Sequence, residues 1–419
     1  MTDIDDQQRA SIARDTGWSF LAEAVRLIAG IGVFLLVARS LGPSEFGVFV
    51  AIAAIVTFMA PFANLGGPLL LVQRVRRDDH ELSSSFRIAW SMVLAGGAAA
   101  VLVAVVLITT ALDQAPPVAV LAIAIGEFIL AGTVSLCSYL AIACGDLQAH
   151  ALVVSASSVL RLVAAGVLLT AGAPSVTSWA LTQMVALGVT AIGAVVLTSR
   201  HFRVHIGLGR ISRPDVVDGL PYSASIAAFS AQDGIDKPLL VRFGWSLDAG
   251  LYAAAYRVAA LAFMPVQALL VATLGRSFTA GKQGIRPAMR LARRLLVPSL
   301  AYSIGVGLAI LLFAPLAKPL LGDDFEGAVP MLRWLAFLPV VRTLQYFPGN
   351  ALTGAGYQRA RLGILVITLV ISAGLCLALI PDHSWRGAVI ATFVAEVAYC
   401  LMLWGFAWHR SRRESAEAQ

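Results

Sequence analysis

Apolar runs of about 20 residues recur along the whole chain, each set off from the next by a short polar stretch. A helix of that length crosses the ~30 Å hydrocarbon core of a bilayer. The pattern predicts twelve helices, at 18–38, 46–71, 88–111, 117–143, 150–171, 176–198, 219–241, 249–273, 295–317, 327–352, 362–381 and 386–408. The runs lack the alternation of a transmembrane barrel, and in lipid only helices or closed barrels satisfy the backbone. The expected fold class is an all-α integral membrane protein. The polar residues 1–16 carry no basic lead-in to an uncharged run, and Glu23 and Arg26 interrupt the first apolar run. A cleaved signal peptide rarely tolerates such charges, so that run is kept as a span.

Composition agrees with the pattern. The chain has 419 residues, 58% hydrophobic and 13% charged, with a mean hydropathy of +0.81. Soluble domains sit near a quarter charged residues. Cys137, Cys144, Cys376 and Cys400 fall in or beside apolar runs without zinc or redox spacing, and read as small buried hydrophobes. The basic residues add an orientation. Twenty-one Lys and Arg fall at the two ends and in alternate loops, including Arg9, Arg14, Arg74, Arg76, Arg77, Arg87, Arg276, Lys282 and Arg286. Only Arg39, Arg242, Lys318 and Arg386 fall on the other side. The positive-inside rule then puts both termini and the basic loops in the cytoplasm. Topology thus accounts for the pI of about 9.5, and no nucleic-acid partner is expected.

The chain also repeats. "RSLGPSEFGVFVA" (39–51) resembles "RFGWSLDAGLYAA" (242–254), matching Arg39 to Arg242, Glu45 to Asp248, Gly47 to Gly250 and Phe49 to Tyr252 at one offset. Pro61 and Pro265 follow within one residue of register. Six spans per repeat, in one orientation, imply two lobes related by an axis along the membrane normal. The expected division is a tail at 1–17, an N-lobe at 18–198, a linker at 199–218, a C-lobe at 219–408 and a tail at 409–419.

Three stretches, "FLLVARSLGPSEFGVFVAIAAIV" (34–56), "DKPLLVRFGWSLDAGLYAAAYRV" (236–258) and "LGDDFEGAVPMLRWLAFLPVVRTLQYFPGNALTGAGYQRARLG" (321–363), resemble an oligosaccharide flippase, of the O-antigen or exopolysaccharide type, from the polysaccharide-transporter branch of the MOP superfamily. The resemblance implies two pseudo-symmetric six-helix lobes around a central cavity. It also implies alternating access that moves undecaprenyl-diphosphate-linked oligosaccharide from the cytoplasmic to the periplasmic leaflet of the bacterial inner membrane, for polysaccharide or lipopolysaccharide synthesis. Membrane lipid and polysaccharide polymerase machinery are the other partners it suggests, with the flippase itself a monomer and free of cofactors and metals. Peptidoglycan-precursor flippases in the same superfamily usually carry two further helices, which are absent here.

Charges inside the spans are the candidate site. The cations are Arg26, Arg161, Lys237, Arg257, Arg333 and Arg342; the acids are Glu23, Glu127, Asp233, Asp236 and Glu396. A charge facing lipid costs at least ~2.5–3.5 kcal/mol near the bilayer centre, so these side chains should face one another or water. Glu23 and Arg26 (i, i+3) and Asp233 and Lys237 (i, i+4) can pair on one helix face, leaving Asp236 without a same-helix partner. Arginine suits a lipid diphosphate because its fork donates bidentate hydrogen bonds. Arg26, Arg161 and Arg342 lie deepest and are read either as phosphate ligands or as structural ion pairs, with Arg257, Arg333 and Lys237 as further substrate contacts. In the resembling precursor flippases a helix-1 cation lies 13 residues before the Arg of an Ala-Arg-x-x-Gly turn, as Arg26 does before Arg39; their second helix-1 cation has no match. The acids are candidates for ion coupling, Asp236 first. No G-x-x-x-x-G-K-[ST] or H-E-x-x-H is present, so neither intrinsic ATP drive nor metalloenzyme chemistry is expected. Pro221 is expected at the start of the seventh helix. The competing readings are an ion-coupled multidrug or small-molecule exporter and, behind it, a membrane glycan polymerase or ligase, which the short loops disfavour.

Overall fold

The structure is a computed structural model describing residues 2–76, 81–170, 172 and 174–417. The described residues are almost wholly helical: α1 (Thr2–Ala63), α2 (Gly67–Arg76), α3 (Leu82–Ala111), α4 (Pro117–Ala124), a π-helical turn (Ile125–Leu130), α5 (Ala131–Cys144), α6 (Leu147–Thr170) and α7 (Val176–His201). Then come α8 (Arg213–Gly234), α9 (Asp236–Arg242), α10 (Ser246–Gly281), α11 (Ile285–Phe313), α12 (Ala317–Leu321), α13 (Ala328–Leu335), α14 (Leu338–Gly354) and α15 (Gln358–Glu417). Among the described residues, eight stretches are long and apolar enough to cross a membrane, and two of them, Leu21–Val75 and Gln358–Glu414, are of double length at 55 and 57 residues. Those two turn back at Gly42 (φ 68°) and Ser384 (φ 49°), where the backbone leaves the helical region. The broken pairs α8/α9 and α13/α14 supply the remaining two of twelve spans.

The helices outrun the apolar runs that announced them. The loop expected around 276–294 shrinks to Lys282–Gly284. In α11 the residues Ile285, Ala288, Met289 and Ala292 are buried while Arg286, Arg290, Arg293 and Arg294 are exposed, so an amphipathic turn carries the helix beyond its apolar stretch. Pro221, expected to open a helix, lies inside α8, which starts at Arg213. Pro214 takes the first turn instead, where its missing N–H leaves no hydrogen bond unmade. Of the cysteines expected to be buried, Cys137 and Cys376 are, Cys400 is half-buried and Cys144 is exposed at the end of α5. Arg77, one of the residues carrying the orientation, lies outside the described residues.

The chain forms two compact units, one comprising the residues up to Leu41 and Ile52–Ser230, the other Gly42–Ala51 and the residues from Ala231 on. In the first unit, loops placed on one side by the charge pattern meet: Arg74 pairs with buried Asp215, His201 with Asp146 (2.9 Å), and Arg87 donates to the Leu208 carbonyl (3.0 Å). Burial pushes the Asp215 carboxyl up, but hydrogen bonds from Ser212 and the Arg74 guanidinium outweigh it and hold the group below the usual carboxylate range. In the second unit Glu414 accepts the Ile285 N–H at the start of α11 (3.0 and 3.1 Å).

The repeat has a structural counterpart within the second unit. A Cβ on Gly47 would strike the Ser246 carbonyl oxygen, and one on Gly250 would strike that of Pro43. Pro43 and Ser246 stand in the same register as Gly47 and Gly250. The two turns therefore cross symmetrically, backbone on backbone, at a distance that only glycine permits.

Candidate functional site

The charged heart of the second unit begins at a helix break. Pro238 has no N–H to offer the Gly234 carbonyl, and α8 gives way to α9 at Ile235. The Lys237 N–H turns to the Asp236 carboxylate (2.9 Å), while Lys237 Nζ donates to the Asp233 main-chain carbonyl and to Asp236 Oδ1, both at 2.8 Å. Two tyrosines one turn apart on α10 close over this break. Tyr252 donates to Asp236 Oδ2 (2.6 Å) and Tyr256 to Asp233 Oδ1 (3.0 Å). The Lys237 ammonium stands 4.0 Å from the Tyr256 ring centroid, a cation–π distance.

Arg342, on α14, ties this group to α15. Its Nη2 reaches Asp233 Oδ1 at 2.5 Å and Glu396 Oε1 at 3.2 Å, with Nε on the same Glu396 oxygen at 3.3 Å. Gln345 Nε2 donates to Glu396 Oε2. Asp236, Lys237, Arg342 and Glu396 are each at most 6% exposed, whereas the Asp233 side chain is 55% exposed. Buried charges survive only when paired and hydrogen-bonded, and here each has both.

The first unit carries a smaller set. Glu127 lies in the π-helical turn between α4 and α5, a local rewinding often found at functional positions. Arg161 of α6 donates from Nε to Gln183 Oε1 (3.0 Å) and from Nη2 to Glu127 Oε1 (3.3 Å). Gln183, on α7, returns a hydrogen bond to the Arg161 carbonyl (3.3 Å). The Arg161 and Glu127 side chains remain 36% and 34% exposed. Glu23 and Arg26 pair as their spacing predicts, at 2.5 Å, with both side chains exposed.

The expected residues thus sort into groups. Asp233, Asp236, Lys237, Arg342 and Glu396 come together; Arg161 meets Glu127; Glu23 meets Arg26. Arg257 and Arg333 are exposed and join none of these sets. Two expectations are corrected. Asp236, expected to have no same-helix partner, is held by its neighbour Lys237: at the first turn of α9 the short carboxylate folds onto the Lys237 N–H, and the long lysine arm reaches back to the same oxygen. Asp233, expected to rely on Lys237, has its carboxylate held by Arg342 and Tyr256, from other helices. Sequence reasoning missed Tyr252, Tyr256, Gln183 and Gln345. A signal existed for each: a polar group inside an apolar span, with the two tyrosines at helical spacing and Gln345 one turn from Arg342.

A family profile for polysaccharide biosynthesis proteins matches residues 12–275. No curated protein sequence matches the chain. Among solved structures, the fold is similar to the inward-facing form of a multidrug resistance MATE family transporter of the MOP superfamily, at a TM-score of 0.77 and 16% identity over 94% of this chain and 99% of that one. It is similar to the outward-facing form of such a transporter at 0.63 and 17%, over 96% of each chain. A MOP superfamily transporter from Pyrococcus furiosus gives 0.64 and 16%, again over 96% of each. The profile spans more than half of the sequence, and the fold is similar to that of MOP superfamily transporters: the chain is a multi-pass integral membrane protein and belongs to the polysaccharide biosynthesis protein family.

Proposed function

We propose that this transporter moves an undecaprenyl-diphosphate-linked oligosaccharide from the cytoplasmic to the periplasmic leaflet of the inner membrane. Both termini are cytoplasmic in this reading, and the lobes at 18–198 and 219–408 alternate in access. The family supplies the class of cargo, and Arg161 is the observation that carries the reading at the level of residues. Its side chain is about a third exposed, and its guanidinium is held by one carboxylate and one amide, a 3.3 Å contact and a 3.0 Å contact. A phosphate oxygen arriving at this group gains a charge-assisted hydrogen bond, and Glu127 can yield its place without stranding a buried charge. Arg342 is the poorer ligand, since two carboxylates already surround it.

Proteoliposomes loaded with a fluorescent lipid-diphosphate glycan test the proposal, with translocation read by a membrane-impermeant quencher. Arg161→Ala should slow translocation about 10–150-fold, the equivalent of one lost charge-assisted bond, and Arg161→Lys should recover part of it. Full translocation by Arg161→Ala would sink the phosphate role. A second reading, export of a small cationic compound, is favoured by the exposed Asp233 carboxylate. Efflux of a fluorescent cation that depends on Asp233, without any glycan movement, would select it. Orientation is tested by labelling single cysteines in intact cells: positions 282–284 should be shielded and 113–115 reactive.

A further inference from the structure

We propose that the start of α11 and the end of α15 together bind the headgroup of an anionic phospholipid, in the leaflet on the C-terminal side of the membrane. The exposed faces of the two helices carry the proposal. Along α11 the apolar side chains of Val297, Ile304, Leu308 and Leu312 recur at helical spacing and are all exposed. An uncovered apolar stripe on a membrane span faces lipid. Arg294 and Arg290 continue that row, one and two turns before Val297, with Arg293 beside them, and all three are exposed. On α15 the side chains of Val394, Val397 and Leu401 form a second exposed row, which Trp408 and Arg412 prolong. The cations therefore stand where two lipid-facing stripes leave the hydrocarbon, at the depth of the headgroups.

The two helix ends are locked together. Glu414 accepts the Ile285 N–H at 3.0 and 3.1 Å, and Arg286 Nε donates to the Ser411 carbonyl at 3.0 Å. The Glu414 carboxylate is thereby turned to the start of α11 and away from the arginines. Among the described residues, Arg290, Arg293, Arg294 and Arg412 form no ion pair. What two of them meet is aromatic. The Arg412 guanidinium stands 3.9 Å from the Trp408 ring centroid, and that of Arg293 stands 5.9 Å from the Trp404 centroid. Trp404 is itself fixed, its Nε1 donating to the Leu344 carbonyl at 2.9 Å. A guanidinium that rests its face on a ring keeps the N–H fork at its edge free for a phosphate oxygen. Indole rings favour the same membrane depth, with an apolar body and a polar edge. Unpaired cations at that depth suit a phosphodiester of net negative charge, whereas a zwitterionic headgroup would bring its own ammonium against them. Because the cations continue lipid-facing stripes, their partner is a lipid of the surrounding leaflet rather than a transported cargo.

The test needs no cargo. The purified full-length protein is equilibrated in detergent micelles holding equal amounts of phosphatidylglycerol and phosphatidylcholine, and native mass spectrometry then counts the lipids that stay bound. The wild type should retain phosphatidylglycerol in preference. Each of Arg290→Gln, Arg294→Gln and Arg412→Gln should weaken that preference about fivefold, the worth of one basic residue near an anionic surface. Arg412→Lys, which keeps the charge, should lose less than Arg412→Gln. A control triple at exposed basic positions of the first unit, Arg200→Gln, Arg210→Gln and Arg213→Gln together, should leave the preference unchanged. Equal retention of the two lipids by the wild type would overturn the proposal, as would an unmoved preference when Arg290, Arg294 and Arg412 are all replaced by Gln. A control triple that loses as much as the site triple would also overturn it, by reducing the preference to net charge. Complete displacement of phosphatidylglycerol by pyrophosphate would do so too, by assigning the site to free phosphate.

Discussion

Each compact unit holds an arginine flanked by a glutamate and a glutamine: Arg161 with Glu127 and Gln183 in the first, Arg342 with Glu396 and Gln345 in the second. The same three side-chain types behave differently because their surroundings differ. Arg161 meets one carboxylate and keeps a third of its side chain open to solvent. Arg342 meets two, plus a tyrosine hydroxyl at 2.5 Å, and is 4% exposed. An exposed ion pair is worth little and is easily exchanged, while a buried one is costly to disturb. Residue type in a membrane span therefore announces a polar interior without revealing which arginine is free to bind. Burial and the number of acids decide that.

The largest expected effect tests this contrast head-on. Arg342→Ala leaves Glu396 and Asp233 facing each other without their cation, and should cost about 3–5 kcal/mol of stability. Arg161→Ala removes a partly exposed pair and should cost no more than about 1 kcal/mol. Unfolding of both variants in detergent, followed by intrinsic fluorescence, checks the difference. Equal losses would break the comparison and make the Arg161 set structural.

Much of the architecture was legible because length alone separates a span from a loop. The repeat could be read because Gly47 and Gly250 are fixed by a backbone crossing that tolerates nothing larger. Pairing along one regular helix could be read too, as Glu23 and Arg26 demonstrate. Partner choice elsewhere could not. It depends on the break that Pro238 makes in the seventh span, on the rewound turn that carries Glu127, and on which faces of α10, α14 and α15 meet. None of these has a periodicity. Helix ends were missed where amphipathic turns such as Ile285–Ala292 prolong a helix past its apolar run.

A smaller effect sharpens the contrast from within the buried set. Tyr252 is fully buried and donates to Asp236 Oδ2 at 2.6 Å, also lying 3.1 Å from Thr392 Oγ1. Tyr252→Phe keeps the ring and removes only the hydroxyl. Loss of a hydrogen bond to a charged group should cost about 1.5–3 kcal/mol, read as a lowered thermal midpoint. A loss within a few tenths of zero would mean that Asp236 is held by Lys237 alone.

The smallest expected effect belongs to an exposed pair in the first unit, and pH isolates it. Asp146 sits between α5 and α6, outside the spans, with its side chain 31% exposed. It accepts the Ala149 N–H at 2.9 Å and meets His201 Nε2 at 2.9 Å. The Ala149 hydrogen bond, followed by a smaller opposing push from burial and the pull of His201, leaves its carboxyl below the usual range. A carboxyl lowered by folding adds stability above its unfolded value of about 3.9, and that stability is lost as pH falls through the folded value. Asparagine caps a helix about as well as aspartate, so Asp146→Asn removes the charge and little else. Near neutral pH the variant should be less stable by about 0.5 kcal/mol, the scale of an exposed pair. The gap should close as the pH drops below the usual carboxylate range. Chemical unfolding of wild type and variant at several pH values measures both. A gap that stays constant with pH would assign the loss to altered helix capping, and a gap as large as that of Tyr252→Phe would place this exposed pair with the buried ones.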